Sequence, residues 1–183
     1  MEEVVGLDCI PLFVKNLKSD VVNVIQHSIK ILSCIVAGND TQLKVNEIFS
    51  IDFILYSKKS VLNDGEFLPQ VLNLVLHGNQ TIRKEVYLII HQKLKRDNEN
   101  TFLIIEHENF LKNLRKAIGN ESAEVVEKIF EIMDSLVTKA NPEQILRMVT
   151  EFNYLGCLAV LLDHELLHIK QLGLDITLKI INS

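Results

Sequence analysis

The sequence predicts an all-α, right-handed superhelical solenoid of about four repeats, forming a single domain over residues 1–183. Three observations predict it: helical spacing of apolar residues, a recurring short segment, and few turn or strand signals. Apolar residues recur every three or four positions along Val21–Ile35, Val125–Leu136 and Ile169–Ile180, as in amphipathic helices. Seven Gly, three Pro and no Trp argue against a β-barrel or sandwich, which needs many turn residues.

A short apolar segment occurs four times along the chain. Its copies start 58, 42 and 44 residues apart, and they are IPLFVKNL from Ile10, LPQVLNLV from Leu68, FLKNLRKAI from Phe110 and YLGCLAVLL from Tyr154. A longer predicted helix follows each copy, and three of these helices run into polar segments at 37–42, 96–100 and 140–144. A helical period of about 42 residues is typical of armadillo and HEAT solenoids.

The spacing of the segments divides the chain into four predicted repeats, at about 4–45, 46–105, 106–147 and 148–183. The second repeat contains an insertion near 49–64, because those residues fit no other copy. Polar links at His77–Thr81 and Gly119–Ser122 predict turns, and Asp20 and Ser122 occupy expected N-cap positions. Stacking of such repeats buries one continuous core and aligns the long third helices on a concave face.

Composition excludes several classes of function. The net charge of −5 argues against a nucleic-acid partner, which usually meets a basic patch. Cys9, Cys34 and Cys157 are too few for a disulfide framework, so we interpret them as reduced thiols of an intracellular protein. The acidic N-terminal segment lacks the apolar stretch of a signal peptide, and no apolar run approaches the ~18 residues of a transmembrane helix. We therefore expect a cytoplasmic and/or nuclear protein with no membrane partner.

Three segments resemble the importin-α (karyopherin-α) armadillo family. IRKEVYLIIHQKLKRDNEN, from Ile82, is similar to a third helix of that family, and EQILRMVTEFNYLGCLAVLL, from Glu143, to the join between two late repeats. The opening LDCIPLFVKNLKSD is similar to a repeat start. The resemblance implies a non-catalytic nuclear import adaptor that holds an extended basic localisation signal in its concave groove. It also implies Trp and Asn residues on the third helices, which clamp lysine stems and fix the peptide backbone.

The chain departs from this family pattern, since it contains no Trp. Alignment on the polar helix ends places one pair from each third helix at the Trp and Asn positions: Lys30/Cys34, Leu88/Gln92, Ile132/Leu136 and Asp175/Lys179. A shift of register would bring Asp134 and Ser135 to the third of these pairs. The candidate peptide-binding residues are therefore Lys30, Cys34, Leu88, Gln92, Asp134 and Asp175.

Other charged residues of the third helices admit two interpretations. An acidic tendency either attracts a basic partner or is solvated helix surface, and its members are Glu85, Glu127, Glu131, Asp134 and Asp175. His91 and Gln92 would face the groove beside Leu88, either as peptide contacts or as ordinary solvated side chains. The cluster Lys93, Lys95 and Arg96 is interpreted as cations that offset a helix dipole, with a localisation signal or a phosphate-binding spot as alternatives.

A generic armadillo scaffold unrelated to nuclear import is the main alternative function, favoured by the missing Trp and Asn residues. In both cases we expect a protein or extended-peptide partner, no catalytic residue and no cofactor. An uncapped solenoid end could also pair with a second copy of the chain and form a homodimer.

The segment HELLH, His164–His168, matches the zinc-hydrolase signature H-E-x-x-H. On one helix, His164 and His168 would share a face and bind zinc, and Glu165 would act as general base. The repeat alignment instead places the segment at the turn between two helices, and only Asp175 follows it as a further ligand. We therefore predict no metal site and keep a zinc hydrolase as a minor alternative.

Overall fold

The computed structural model describes residues 9–37, 65–96 and 99–182, and every regular element in these ranges is an α-helix. The prediction of an all-α chain is confirmed. The helices are α1 (Ile10–Asn16), α2 (Val22–Ala37), α3 (Phe67–Asn73), α4 (Gln80–Arg96), α5 (Glu99–Glu106), α6 (Glu108–Asn120), α7 (Ala123–Lys139), α8 (Pro142–Thr150), α9 (Tyr154–Leu162) and α10 (Leu167–Ile181). The predicted insertion near 49–64 lies outside the described residues.

Two compact units divide the chain, residues 1–89 and residues 90–183, and the boundary falls inside α4. In the first unit α1 packs against α2. Pro11 lies in the first turn of α1, where the missing N–H has no intrahelical partner to lose. The core of this pair is made of apolar side chains at helical spacing: Ile10, Val14, Ile29, Leu32 and Val36. The prediction of one domain with four repeats stays a prediction.

The second unit contains two successive helix triplets, α5–α6–α7 and α8–α9–α10. Each triplet has a short first helix, and equivalent helices of the two triplets pack together: α6 against α9, and α7 against α10. The Tyr154 hydroxyl, fully buried at the start of α9, donates a hydrogen bond of 2.6 Å to the Met133 carbonyl of α7. Packing of each helix against the equivalent helix of the next triplet is expected of a solenoid.

The short first helices α5 and α8 begin within segments that the sequence analysis treated only as polar helix ends. Asn141 caps α8: its side chain accepts from the Gln144 N–H at 2.9 Å, and the Gln144 side chain accepts from the Asn141 N–H at 2.9 Å. Pro142 then takes the first helical turn, where proline is favoured. The triplets consequently begin at Glu99 and Pro142, ahead of the starts at 106 and 148 derived from the repeated segment.

One predicted N-cap is correct and one is wrong. Ser122 precedes α7 at the N-cap position, as predicted. Asp20 does not cap α2, because α2 begins at Val22 and the Val21 carbonyl accepts the first helical hydrogen bonds. The Ser19 hydroxyl accepts from the Val21 N–H at 3.1 Å, so a serine one position earlier shapes this turn.

No single helix in the described ranges is long and apolar enough to cross a membrane. Taken together, α8 and α9 are long and apolar enough for a membrane span by length and composition, but the pair is bent by 73°.

Candidate functional site

The third helices of the second unit enclose a cleft of about 630 Å³. Its walls come from the end of α4, from α7 and from α10, which are the long helices of successive repeats. The lining residues are His91, Lys95, Phe130, Glu131, Asp134, Ser135, Leu172, Asp175, Leu178 and Lys179. The cleft therefore lies where a solenoid presents its third helices to a partner.

Each of the three helices contributes to the cleft through residues four positions apart. These pairs are His91/Lys95 on α4, Glu131/Ser135 on α7 and Asp175/Lys179 on α10. Residues at i and i+4 project from the same face of a helix, so one pair per helix forms a row across the cleft.

The Glu131 carboxylate on α7 contacts two neighbouring side chains, one histidine and one lysine. Its Oε2 lies 2.9 Å from the Nε2 atom of His91 on α4 and 2.7 Å from the Nζ atom of Lys128. At the ends of the same two helices, the Lys139 ammonium donates a hydrogen bond to the Leu94 carbonyl. Glu131 thus helps to hold α7 against α4.

Two further acids of α7 are paired with α10. Asp134 accepts from the Lys179 ammonium, which also donates to the Thr138 hydroxyl at 3.1 Å. Glu127 lies 2.7 Å from the Nε2 atom of His168. Three acids of α7, namely Glu127, Glu131 and Asp134, are therefore occupied by contacts with neighbouring repeats, an arrangement that neither sequence interpretation of the acidic tendency included.

His91 is buried, with only 4% of its side chain exposed. Burial lowers the pKa of His91, the Glu131 carboxylate raises it, and Lys95 and Lys128 lower it further. A neutral imidazole can donate from Nε2 to Glu131, which leaves Nδ1 as an acceptor. That Nδ1 atom is buried and has no hydrogen-bond partner among the described residues.

Two charged groups of the cleft remain outside these pairs. Lys95 on α4 and Asp175 on α10 are exposed, and neither forms an ion pair with any side chain that the structure describes. The cleft also contains the apolar side chains of Leu172 and Leu178 on α10, of which Leu178 is 57% exposed, and of Phe130 on α7, which is buried. The unpaired charges of the cleft are thus a cation on its α4 side and an anion on its α10 side.

Two of the six candidate residues from the sequence line this cleft, Asp134 and Asp175. Gln92 is half-buried on α4 and is not among the lining residues; its neighbour His91 takes that position. The other three, Lys30, Cys34 and Leu88, belong to the first unit. There Lys30 is exposed, Leu88 is half-buried, and burial and Glu85 raise the pKa of Cys34, against the lowering effect of Lys30.

The structure resolves the alternative register on α7. Ile132 and Leu136 are fully buried in the core, whereas Asp134 and Ser135 line the cleft. A shift of one residue rotates a side chain by about 100° around a helix, so a small alignment error exchanges core and cleft positions. Sequence reasoning missed the apolar residues Phe130, Leu172 and Leu178, and it missed Lys95, because that lysine is interpreted there as a cation for the helix dipole. Its position four residues after His91 is the signal that identifies it.

The HELLH segment does not form one helical face. His164, Glu165 and Leu166 lie in the turn after α9, and only His168 is inside α10, which begins at Leu167. The Nδ1 atom of His164 accepts from the Leu166 N–H at 3.1 Å, while His168 contacts Glu127. The predicted position at a turn is confirmed, and the geometry does not support the zinc-hydrolase alternative. Among the described residues, no group of three or more His, Cys, Asp and Glu side chains is arranged to hold a metal ion.

Solved structures with a similar fold are designed armadillo repeat proteins. A computationally designed armadillo repeat protein for modular peptide recognition matches with a TM-score of 0.67 and 19% identity, over 91% of this chain and 62% of its own. The designed armadillo repeat protein YIII(Dq)4CqI matches with a TM-score of 0.57 and 18% identity, over 92% of this chain and 80% of its own. A third, YIII(Dq.V1)4CPAF in complex with the peptide (KR)4, matches with a TM-score of 0.54 and 18% identity, over 94% and 87% of the two chains.

At these identities the similarity establishes the fold. The prediction of an all-α solenoid of the armadillo type is confirmed, whereas the narrower resemblance to importin-α stays a prediction. The chain spans less than two thirds of the length of the first designed protein. No protein-family model matches the sequence, and no curated protein matches it.

Proposed function

We propose that this chain is a non-catalytic protein-binding scaffold, which holds an extended peptide segment of a partner against its third helices. The observation that carries the proposal is the cleft between α4, α7 and α10, lined by at least one i, i+4 pair from each helix. Designed proteins of the same fold were made for modular peptide recognition, which supports the same use of this surface here.

The chemistry of the cleft suits an extended peptide. Leu172 and Leu178 offer apolar surface for side-chain stems, and burial of such surface contributes roughly 25 cal/mol per Å². The unpaired side chains of Lys95 and Asp175 can orient the backbone, since a main chain in extended conformation presents both acceptors and donors. Ion pairs between α7 and its two neighbours, α4 and α10, fix the positions of these helices. The helices therefore need little further ordering when a peptide binds.

A substitution that obstructs the cleft tests this proposal. Peptides of about ten residues, extended over about 33 Å, are selected by display against the full chain, and their affinities are measured by fluorescence anisotropy. Ser135→Tyr places a bulky ring in the cleft, and Thr150→Tyr places the same ring on α8, outside the cleft. Both hydroxyls bond only to the carbonyl four residues earlier, so the two substitutions are matched.

We expect Ser135→Tyr to weaken the selected peptides about tenfold or more, which corresponds to about 1.4 kcal/mol, and Thr150→Tyr to leave them unchanged. Equal affinities of the two variants, with both folded by circular dichroism, would contradict a peptide site in the cleft.

A nuclear import adaptor is the narrower second candidate, and the resemblance of Ile82–Asn100 and Glu143–Leu162 to importin-α favours it. This candidate would place the protein in the cytoplasm and/or nucleus. The pairing of Glu127, Glu131 and Asp134 within the fold weighs against a strongly lysine-selective groove. A bipartite lysine-rich signal peptide that binds selectively over a scrambled peptide of equal charge, at physiological salt, would support import, whereas equal binding would leave a scaffold unrelated to import.

A further inference from the structure

We infer that the cleft recognises a segment of mixed charge, with an acidic side chain at the α4 end and a basic side chain at the α10 end. This inference rests on the proposed function and specifies its partner. The observation behind it is the division of the charged cleft residues into paired and unpaired groups.

The paired groups leave no acidic ladder for a purely basic guest. Asp134 is occupied by Lys179, whose ammonium also donates to the Thr138 hydroxyl, and Glu131 is occupied by His91 and Lys128. A lysine of the guest would have to displace Lys179 from Asp134, and therefore exchange one ammonium–carboxylate contact for an equivalent one. That exchange yields little net free energy, so these acids contribute little to selection.

The unpaired groups have opposite signs and lie on different helices. Lys95 projects from α4 and Asp175 from α10, with α7 between them. A guest carboxylate near Lys95 and a guest ammonium or guanidinium near Asp175 would each complete an ion pair without breaking an existing one. The apolar side chains of Leu172 and Leu178 lie beside Asp175 and can cover the aliphatic stem of a guest lysine or arginine.

The spacing of the two charges follows from the stacking of the helices. Neighbouring packed helices lie about 8–10 Å apart, so α4 and α10 are separated by about 16–20 Å through α7. An extended chain advances about 3.3 Å per residue. The acidic and basic residues of the partner are therefore expected about five or six positions apart.

Four labelled peptides of equal length test the inference against the full chain by fluorescence anisotropy at low salt. Two have one acidic and one basic end in opposite orders, one has two basic ends, and one has two acidic ends. We expect one of the mixed peptides to bind about tenfold more tightly than either uniform peptide. At one end an ion pair, which contributes a factor of about two to five, replaces a like-charge contact that costs a similar factor. The preference should shrink at about 0.5 M salt.

Charge reversal at each end sharpens the test. Lys95→Glu makes both ends anionic and should move the preference to the basic peptide, whereas Asp175→Lys makes both ends cationic and should move it to the acidic peptide. Both residues are exposed, and so are Lys116 and Asp163 outside the cleft, whose reversals Lys116→Glu and Asp163→Lys should leave the order of affinities unchanged.

The inference is overturned if the wild-type chain binds the basic peptide as tightly as the better mixed peptide, or if the two reversals leave the order unchanged. In either case binding itself still supports a peptide-binding scaffold. Absence of binding by all four peptides and by peptides selected from the display library would overturn the proposed function together with the inference.

Discussion

At the scale of single residues, the most informative side chain is His91. It lines the cleft, contacts Glu131 at 2.9 Å and is almost fully buried. Sequence analysis placed it at the groove but expected a solvated or peptide-contacting group. Burial of a histidine depends on the packing of two helices that are distant in sequence, so its position on α4 alone does not predict it.

His91 makes the stability of the fold depend on pH. Because burial lowers its pKa below the ordinary value of 6.5, the unfolded chain binds more protons than the folded chain in the range just below that value. The free energy of unfolding should therefore fall as the pH decreases from about 7.5 to about 5.5. His91→Gln should reduce this loss, while His107, whose pKa is also lowered by burial, retains part of it.

Urea unfolding of both chains at the two pH values measures the effect. A loss of stability on acidification that is equal in His91→Gln and in the wild-type chain would contradict a buried, neutral His91.

At the scale of helices, the close packing of α9 against α10 depends on Gly173. A Cβ atom at this position would lie 3.2 Å from a Cδ2 atom of Leu162 and 3.4 Å from the Cβ atom of Leu161. Gly119, near the end of α6, has no neighbouring atom within 4 Å of the same position. The two glycines therefore differ in packing, although both lie in helices.

Substitution of each glycine by valine distinguishes an effect of packing from an effect of helix propensity. Gly173→Val should lower the free energy of unfolding by about 1–3 kcal/mol, because the added methyl groups force α9 and α10 apart. Gly119→Val should change it by less than about 0.5 kcal/mol, since exposed valine and glycine differ little in helix propensity. Chemical denaturation of both variants is the measurement, and equal losses would contradict the close approach at Gly173.

Most of the helices could be predicted from the sequence, whereas their boundaries and register could not. The repeated segments correspond to α1, α3, α6 and α9, and the long apolar ladders to α2, α7 and α10. The short helix α8 escaped prediction because its capping residues, Asn141 and Gln144, also fit a polar loop. The alignment on α7 was one position off at Ile132, since apolar residues on adjacent faces of a helix give similar patterns.

At the scale of the whole molecule, the sequence predicted an armadillo-type solenoid but not the charge pattern of its cleft. The acids of α7 are visible in the sequence, yet their partners are not: Lys179 lies 45 residues from Asp134, and His168 lies 41 residues from Glu127. Such pairs exist only once two repeats are stacked. Their formation leaves Lys95 and Asp175 as the charges available to a partner.

The central claim, that a partner peptide binds between α4, α7 and α10, is tested most directly by NMR. ¹H–¹⁵N spectra of the full, isotopically labelled chain are recorded while the tightest selected peptide is added. We predict that the largest shift changes fall on the backbone amides of residues 91–95, 130–135 and 172–179. Changes concentrated instead on a second cleft, around residues 115–121 and 159–165, would contradict the claim.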